Sequence, residues 1–112
     1  MLRHARRFKD VTYQQIAEVG RAVTSPRRLE LLELLAQGPR TVEALARQAG
    51  QSVANASQHL QVLRAARLVE VEREGIRMRY RLADGRVTEF CLALRRLAEA
   101  RAEELGALMR DY

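Results

Sequence analysis

The feature that most constrains the fold of this chain is a change in the spacing of its apolar residues at Leu68. Before this point apolar residues recur every three or four positions, which is the period of one helix face. After it they alternate with charged residues, as in a strand with one buried face. The predicted inward positions are Val69, Val71, Ile76, Met78, Tyr80 and Leu82. The sequence therefore predicts a β-hairpin over residues 68–83 that turns at Glu74-Gly75.

Start and stop signals divide the region before the hairpin into four helices. The first is predicted over residues 11–24. Ser25 and Pro26 then begin a second helix, because serine is a favoured N-cap and proline a favoured first helical residue. This helix runs over residues 27–36 and ends before Gly38-Pro39. Its predicted inward residues are Leu29, Leu32 and Leu35.

Residues 41–65 contain two further helices joined by a tight turn. Thr41 is the predicted N-cap of one, Gly50 ends it, and Ser52 is the predicted N-cap of the next. Two helices joined by a short turn that contains glycine form the helix-turn-helix layout. The predicted buried residues of this pair are Val42, Leu45, Ala46, Ala49, Val53, Ala56, Leu60 and Leu63.

A long last helix is predicted over residues 87–112. Its apolar positions nearly follow a seven-residue repeat: Cys91, Leu94, Ala98, Leu105, Leu108 and Tyr112. About 25 helical residues make a rod of roughly 38 Å, which is longer than one small domain can cover. The overhang predicts an obligate homodimer. The fold class is thus mainly α with a small β-hairpin, in the order ααααββα, as a single winged helix-turn-helix domain over residues 1–112.

Composition limits the partners and the compartment. The chain has 20 basic and 14 acidic residues, a formal charge of +6, and every basic residue except Lys9 is arginine. A polyanionic partner is expected, since arginine suits phosphates and guanine edges. The single cysteine excludes an intrachain disulfide and is typical of a reducing cytoplasm. No apolar run approaches the roughly 20 residues that span a bilayer, and no secretory signal begins the chain. We expect a cytoplasmic protein without membrane contact.

The helix that begins at Ser52 carries the candidate binding site. Its face opposite the buried residues is centred on Gln58 and is short, polar and almost uncharged. Such a face suits the major groove of DNA, where glutamine and asparagine pair with adenine and alanine leaves room for a thymine methyl. Arg73 and Arg77 flank the hairpin turn and suit an adjacent minor groove, with contact favoured for Arg77. The candidate DNA-binding residues are Ser52, Ala54, Asn55, Ser57, Gln58, His59, Gln61, Arg73 and Arg77.

The alternative is that these charged and polar residues form ordinary solvated surfaces. We favour it for Arg79 and Arg81, which would also discourage pairing at the edge of the hairpin. Ser57 and His59 lie at the flanks of the helix face, where phosphate contacts are favoured over base contacts.

The sequence shows no nucleophile paired with a general base and no glycine loop for phosphate, so no enzyme activity and no cofactor are predicted.

The stretch from Arg21 to Ala83, with SPRRLELLELLAQGPRTVEALARQAGQSVANASQHLQVLRAARLVEVEREGIRMRYRLAD at its centre, resembles the DNA-binding core of ArsR/SmtB repressors. The resemblance implies a two-fold dimer through the first and last helices, with residues 52–64 as the recognition helix. It also implies that Asn55, Ser57, Gln58 and His59 contact DNA. The chain is similar as well to the N-terminal part of ArsR proteins fused to a rhodanese domain, which implies a longer gene product.

Departures from this family bear on the effector. Its metal sensors carry a Cys-x-Cys pair before the recognition helix or histidines on the last helix, whereas this chain has VEALARQAG and no histidine after His59. No metal site of these kinds is predicted. Redox and sulfide sensors of the family use two cysteines, and only the second has a counterpart, in Cys91. Cys91 is therefore either a buried packing residue or a sensor of oxidants or reactive sulfur species, in which case Arg95 and Arg96 are expected to lower its pKa if their side chains turn towards it.

Two other functions remain open. A winged helix can serve as a protein-interaction module of a larger assembly, and a constitutive repressor can bind DNA with no effector. The sequence favours a repressor that binds an inverted-repeat operator, but it names neither the operator nor the inducer.

Overall fold

The computed structural model describes residues 2–111. They form five helices and three short strands in the order α1 (Leu2–Ala22), α2 (Pro26–Ala36), β1 (Arg40–Thr41), α3 (Val42–Ala49), α4 (Val53–Ala65), β2 (Val69–Glu74), β3 (Arg77–Leu82) and α5 (Gly85–Arg110). The protein is mainly α with one small antiparallel sheet, as the sequence predicts. Tyr112, which the sequence assigns to the apolar stripe of the last helix, lies outside the described residues.

Side-chain caps begin the helices where the sequence places them. The hydroxyl of Ser25 accepts a hydrogen bond from the Arg28 backbone N–H at 3.3 Å, and that of Thr41 accepts one from Ala44 at 3.2 Å. Each cap satisfies a backbone donor that the first turn of a helix leaves without a partner. Gly50 ends α3 in the left-handed conformation, with φ of 64°. A glycine adopts this conformation without steric cost, which allows the tight turn into α4.

The core lies where α2, α3 and α4 meet the sheet. Its fully buried large side chains are Leu31, Leu32, Leu45, Leu60, Leu63 and Val69. Leu31 was not in the predicted inward stripe of α2, and the predicted Leu29 is only partly buried. Tyr80 from β3 and Val87 from α5 complete the core. The helix-turn-helix pair therefore packs on a continuous apolar layer.

The sheet has one strand that the sequence did not predict. β1 pairs with β3, with Arg40 opposite Tyr80, so that the strand order is β1-β3-β2. A strand of two residues is too short to show an alternating pattern, and only the contact across the chain reveals it. The order ααααββα is corrected to ααβααββα.

The hairpin turn lies one residue later than predicted. Glu74 pairs with Arg77, so Gly75 and Ile76 form a two-residue loop. Gly75 takes a φ of 64°, which suits the first central position of a hairpin turn. Ile76, predicted on the apolar face, stands at the tip and is 95% exposed, and Met78 next to it is 38% exposed. The apolar face of the hairpin is buried only at its base.

Two further details of the helices differ from the predictions. α1 begins at Leu2 rather than at residue 11, because residues 2–10 contain no proline or glycine to interrupt the helix. Val53, predicted inward, is 48% exposed because it lies in the first turn of α4, before the helix reaches the core.

Both terminal helices extend beyond the core. The radius of gyration is 17.2 Å, whereas a compact chain of this length has about 13 Å. Large apolar side chains on α1 and α5 are exposed along these extensions: Phe8, Val11, Tyr13, Ile16, Leu97, Leu105, Leu108 and Met109.

Candidate nucleic-acid interface

One face of α4 is fixed on the core and the other faces outward. Ala56, Leu60 and Leu63 are completely buried. The Ser52 hydroxyl accepts a hydrogen bond from the Asn55 backbone N–H at 3.1 Å and begins the helix. Because successive residues are about 100° apart around a helix, burying these three residues also sets which side chains face away from the core.

The predicted contact residues on α4 fall into two groups. Ser52, Ala54, Asn55, Gln58 and Gln61 are exposed, whereas Ser57 and His59 are partly buried. The exposed group contains no charged side chain. It therefore forms the short polar face that sequence analysis assigned to the major groove.

Two of these side chains already have partners within the chain. The Gln61 Nε2 atom donates to the Tyr80 hydroxyl at 3.3 Å, which links α4 to strand β3. The His59 Nδ1 atom lies 3.3 Å from Nη1 of Arg28, in the first turn of α2. Neither contact is visible in the sequence, since the partners are 19 and 31 residues apart in the chain.

Six charged residues of the hairpin share one face. Glu70, Glu72 and Glu74 lie opposite Arg81, Arg79 and Arg77 in the register. Arg81 pairs with Glu70 at 2.8 Å and with Glu72 at 3.0 Å, and Arg79 pairs with Glu74 at 3.4 Å. Hydrogen bonds to Glu70 and Glu72 raise the pKa of Arg81. The interpretation of Arg79 and Arg81 as surface residues agrees with these ion pairs.

The two arginines assigned to the tip differ from this pattern. Arg73 lies opposite Met78 and Arg77 opposite Glu74, so their side chains leave opposite faces of the hairpin. Within residues 2–111 neither forms an ion pair or a side-chain hydrogen bond. Arg77 directly follows the exposed Ile76 and Arg73 lies three residues before it, and both arginines are exposed and available to an anionic partner.

Cys91 lies apart from this surface, between α2 and α5. It lines an apolar groove of about 230 Å³ together with Leu29, Glu33, Leu94, Arg95, Ala98 and Glu99. Two causes raise the pKa of its thiol: burial, which is the larger, and the negative charge of Glu33. The expectation that Arg95 and Arg96 lower this pKa is wrong. Arg95 instead donates from Nε to Glu33 at 2.7 Å, so its charge is neutralised by the carboxylate.

No group of three or more His, Cys, Asp or Glu residues that could hold a metal ion occurs in residues 2–111. In the same part of the chain, no helix is long and apolar enough to cross a membrane.

The arrangement of α3, the three-residue turn, α4 and the β2–β3 hairpin defines a winged helix-turn-helix protein. In the solved structures, this chain is similar to the homodimeric winged helix-turn-helix DNA-binding domain of Mb0332 from Mycobacterium bovis, a possible ArsR-family regulator. The TM-score is 0.80 with 41% identity, covering 86% of this chain and 89% of that one.

Sequence comparison gives the family. Residues 25–71 match the family described as bacterial regulatory protein, arsR family. A probable mercury resistance operon repressor from Streptomyces lividans is 34% identical over 90 residues, covering 80% of this chain and 72% of that protein. The regulator Rv0324 from Mycobacterium tuberculosis is 38% identical over 103 residues, covering 92% of this chain but only 46% of its own length. The chain belongs to the ArsR family of bacterial regulatory proteins.

These matches confirm the predicted family and fold. This chain spans about half the length of Rv0324. The predicted continuation into a rhodanese domain stays a prediction.

The surroundings of Cys91 lead to a test of its reactivity. We expect its alkylation by iodoacetamide to rise with pH around a midpoint above the value of about 8.5 for a free cysteine. Glu33→Gln should lower this midpoint, because it removes a negative charge and frees the Arg95 guanidinium. Glu30→Gln, at an exposed position of the same helix, should leave it unchanged. A wild-type midpoint below that of free cysteine would show a reactive thiolate and contradict this account.

Proposed function

We propose that this chain is a transcriptional repressor that binds double-stranded DNA as a two-fold dimer, with α4 in the major groove. The observation that carries the proposal is the outward face of α4. It is short and uncharged, with polar side chains around Gln58 and the exposed Val62 one turn further along, and the core holds the opposite face of the helix. A helix with this face can enter the major groove and contact base edges, because it carries no large side chains that would block its approach.

The side chains of α4 divide by position. Gln58 lies at the centre of the outward face, where it would pair with a base, and Asn55 and Ala54 lie beside it. Ser52, Ser57 and His59 lie at the margins and would contact phosphates, which set the register of the protein on the duplex. Gln61 is held by Tyr80 and lies on the side that faces the hairpin.

The hairpin tip would contact the neighbouring minor groove. The ion pairs along its charged face neutralise Arg79 and Arg81, whereas Arg73 and Arg77 keep their charges available. Arginine is attracted to narrow minor grooves, where the potential is most negative. Arg77 is therefore the main candidate for anchoring the hairpin, with Arg73 as a second candidate on the opposite face.

The dimer would form through α1 and α5. Their exposed apolar side chains lie on segments that extend beyond the core, and an apolar groove between them is lined by Gln15, Ile16, Val19, Gly20 and Phe90. Exposed apolar surface of this extent is typical of an interface. Two-fold pairing would place the two α4 helices about 34 Å apart, one turn of DNA, on an inverted-repeat operator. The related Mb0332 domain is homodimeric.

We place this activity in the cytoplasm, and it requires neither a cofactor nor a catalytic step. An oxidant or a reactive sulfur species would have to act at Cys91, the single cysteine of the sequence. The raised pKa of its thiol makes such a reaction slow, because the thiolate is the reactive form. Packing against α2 is therefore the favoured role of Cys91, and a regulator without a thiol effector fits it.

Substitutions in α4 and at the hairpin tip should have different effects. Gln58→Ala should cost about 1 to 3 kcal/mol on the preferred operator and relax the preference at one base pair, because it removes a base contact. Arg77→Ala should weaken binding to most sequences alike, with a larger loss only where the minor groove is selectively narrow, because it removes a contact with the DNA backbone or groove. Binding to a set of operator variants, measured by fluorescence anisotropy, separates these outcomes.

Arg79→Ala is the matched control for Arg77→Ala, since it removes an arginine from the same face of the hairpin that already pairs with Glu74. We expect it to reduce affinity much less than Arg77→Ala. An unchanged ranking of operator variants after Gln58→Ala would show that α4 does not read bases as proposed.

The dimer is tested on α5. Leu105→Glu should place a charge in the interface and raise the dimer dissociation constant by on the order of 100-fold or more, because the dimer would bury two copies of Leu105, which is exposed in the single chain. Ala107→Glu introduces the same charge on the far side of the helix and should change the dimer dissociation constant little. Sedimentation equilibrium measures both. A wild-type chain that stays monomeric at micromolar concentration would rule out the dimer.

A further inference from the structure

Arg28 connects three helices through one side chain. It lies in the first turn of α2, and its guanidinium donates from Nε to the Ala22 carbonyl at 2.6 Å and from Nη2 to the Arg21 carbonyl at 3.2 Å. Its third nitrogen, Nη1, lies 3.3 Å from Nδ1 of His59 in α4. All three nitrogens of the guanidinium group are therefore engaged.

The position of this charge is explained by α1 rather than by α2. A cation is disfavoured near the N-terminus of a helix and favoured near a C-terminus, where carbonyl groups lack partners. Arg28 lies near the N-terminus of α2 but extends to the last carbonyls of α1. It acts as the cap of α1, and no acidic side chain within residues 2–111 forms an ion pair with it.

Few other contacts join α1 to α4. A groove of about 390 Å³ lies between them, lined by Glu18, Arg21, Ala22, Arg28, Val62, Ala65 and Ala66. In the part of the chain that the structure describes, no other side-chain hydrogen bond links α1 to α2 or α4. Arg28 is thus the polar connection between the proposed dimer helix and the proposed recognition helix.

The contact also determines the protonation pattern of His59. The arginine side chain has donors and no acceptor, so His59 Nδ1 must accept the hydrogen bond. In the neutral ring the proton then lies on Nε2, which becomes a donor. A histidine in this tautomer can donate to a phosphate oxygen, whereas the other tautomer presents an unprotonated Nε2.

We propose that Arg28 is a positioning residue for DNA binding. It holds α4 against the end of α1 and fixes His59 in the tautomer that donates from Nε2 to a DNA phosphate. This inference rests on the proposed function, because His59 must lie beside DNA. Arg28 itself is partly buried in the first turn of α2 and acts through His59.

The first part of the test uses the free protein. Nitrogen chemical shifts of the neutral His59 ring should show an unprotonated Nδ1 and a protonated Nε2. Arg28→Lys should produce a mixture of tautomers, because a lysine ammonium cannot reach all three acceptors at once. A wild-type ring protonated at Nδ1, or a ring that does not respond to Arg28→Lys, overturns the proposal without any DNA measurement.

The second part measures operator affinity in a double-mutant cycle. Arg28→Lys should weaken binding about tenfold, as expected for loss of an aligned hydrogen bond to a charged group, and should leave the ranking of base variants unchanged. His59→Asn keeps an acceptor near the Nδ1 position but lacks the Nε2 donor, and should weaken binding similarly. The double variant should bind no more than about twofold more weakly than His59→Asn alone.

Arg27→Lys is the matched control, since within residues 2–111 the one side-chain hydrogen bond of this neighbouring arginine is to the Ala49 carbonyl, at 3.4 Å. We expect less than a threefold change from it. If the fold-losses of operator affinity from Arg28→Lys and His59→Asn multiply in the double variant, the two residues act independently and the proposal is overturned. A wild-type chain with no specific DNA binding would instead refute the proposed function, and the ring nitrogen shifts would still decide whether Arg28 sets the tautomer of His59.

Discussion

The burial of three side chains on one face of α4 is the constraint on which the rest of the structure depends. Ala56, Leu60 and Leu63 are completely buried, and each leucine contributes about 2 kcal/mol when removed from water. Turning α4 by one residue would rotate it by about 100° and expose part of this set. The core therefore fixes the outward face of the helix, including Gln58, far more firmly than a surface contact would.

Local sequence signals predict much of this arrangement. The caps at Ser25, Thr41 and Ser52 and the glycine at position 50 act on neighbouring backbone groups, so they can be recognised without knowledge of the fold. The outward face of α4 follows from helical periodicity alone. The alternation of apolar and charged residues likewise predicts the base of the hairpin, where Val69 and Tyr80 are buried.

Features that depend on distant parts of the chain were not visible in the same way. Strand β1 exists only through pairing with β3, and the link from Arg28 to His59 joins residues 31 positions apart. Ile76 followed the alternating pattern but lies at the turn, because the pattern does not show where a hairpin leaves the core. The pKa of Cys91 depends on Glu33 in another helix. Glu33 accepts a hydrogen bond from Arg95, so the pKa of the thiol is raised rather than lowered.

We propose that the outward face of α4 and the hairpin tip bind DNA through base contacts and phosphate contacts together. The most direct measurement is the dissociation constant for the operator, and for a scrambled duplex of equal length, between 50 and 200 mM salt. The logarithm of each affinity should fall steeply and linearly with the logarithm of the salt concentration, and the operator should be bound at least about 1,000-fold more tightly than the scrambled duplex throughout. Equal affinity for the two duplexes, or binding insensitive to salt, would contradict this proposal and favour a protein-interaction module.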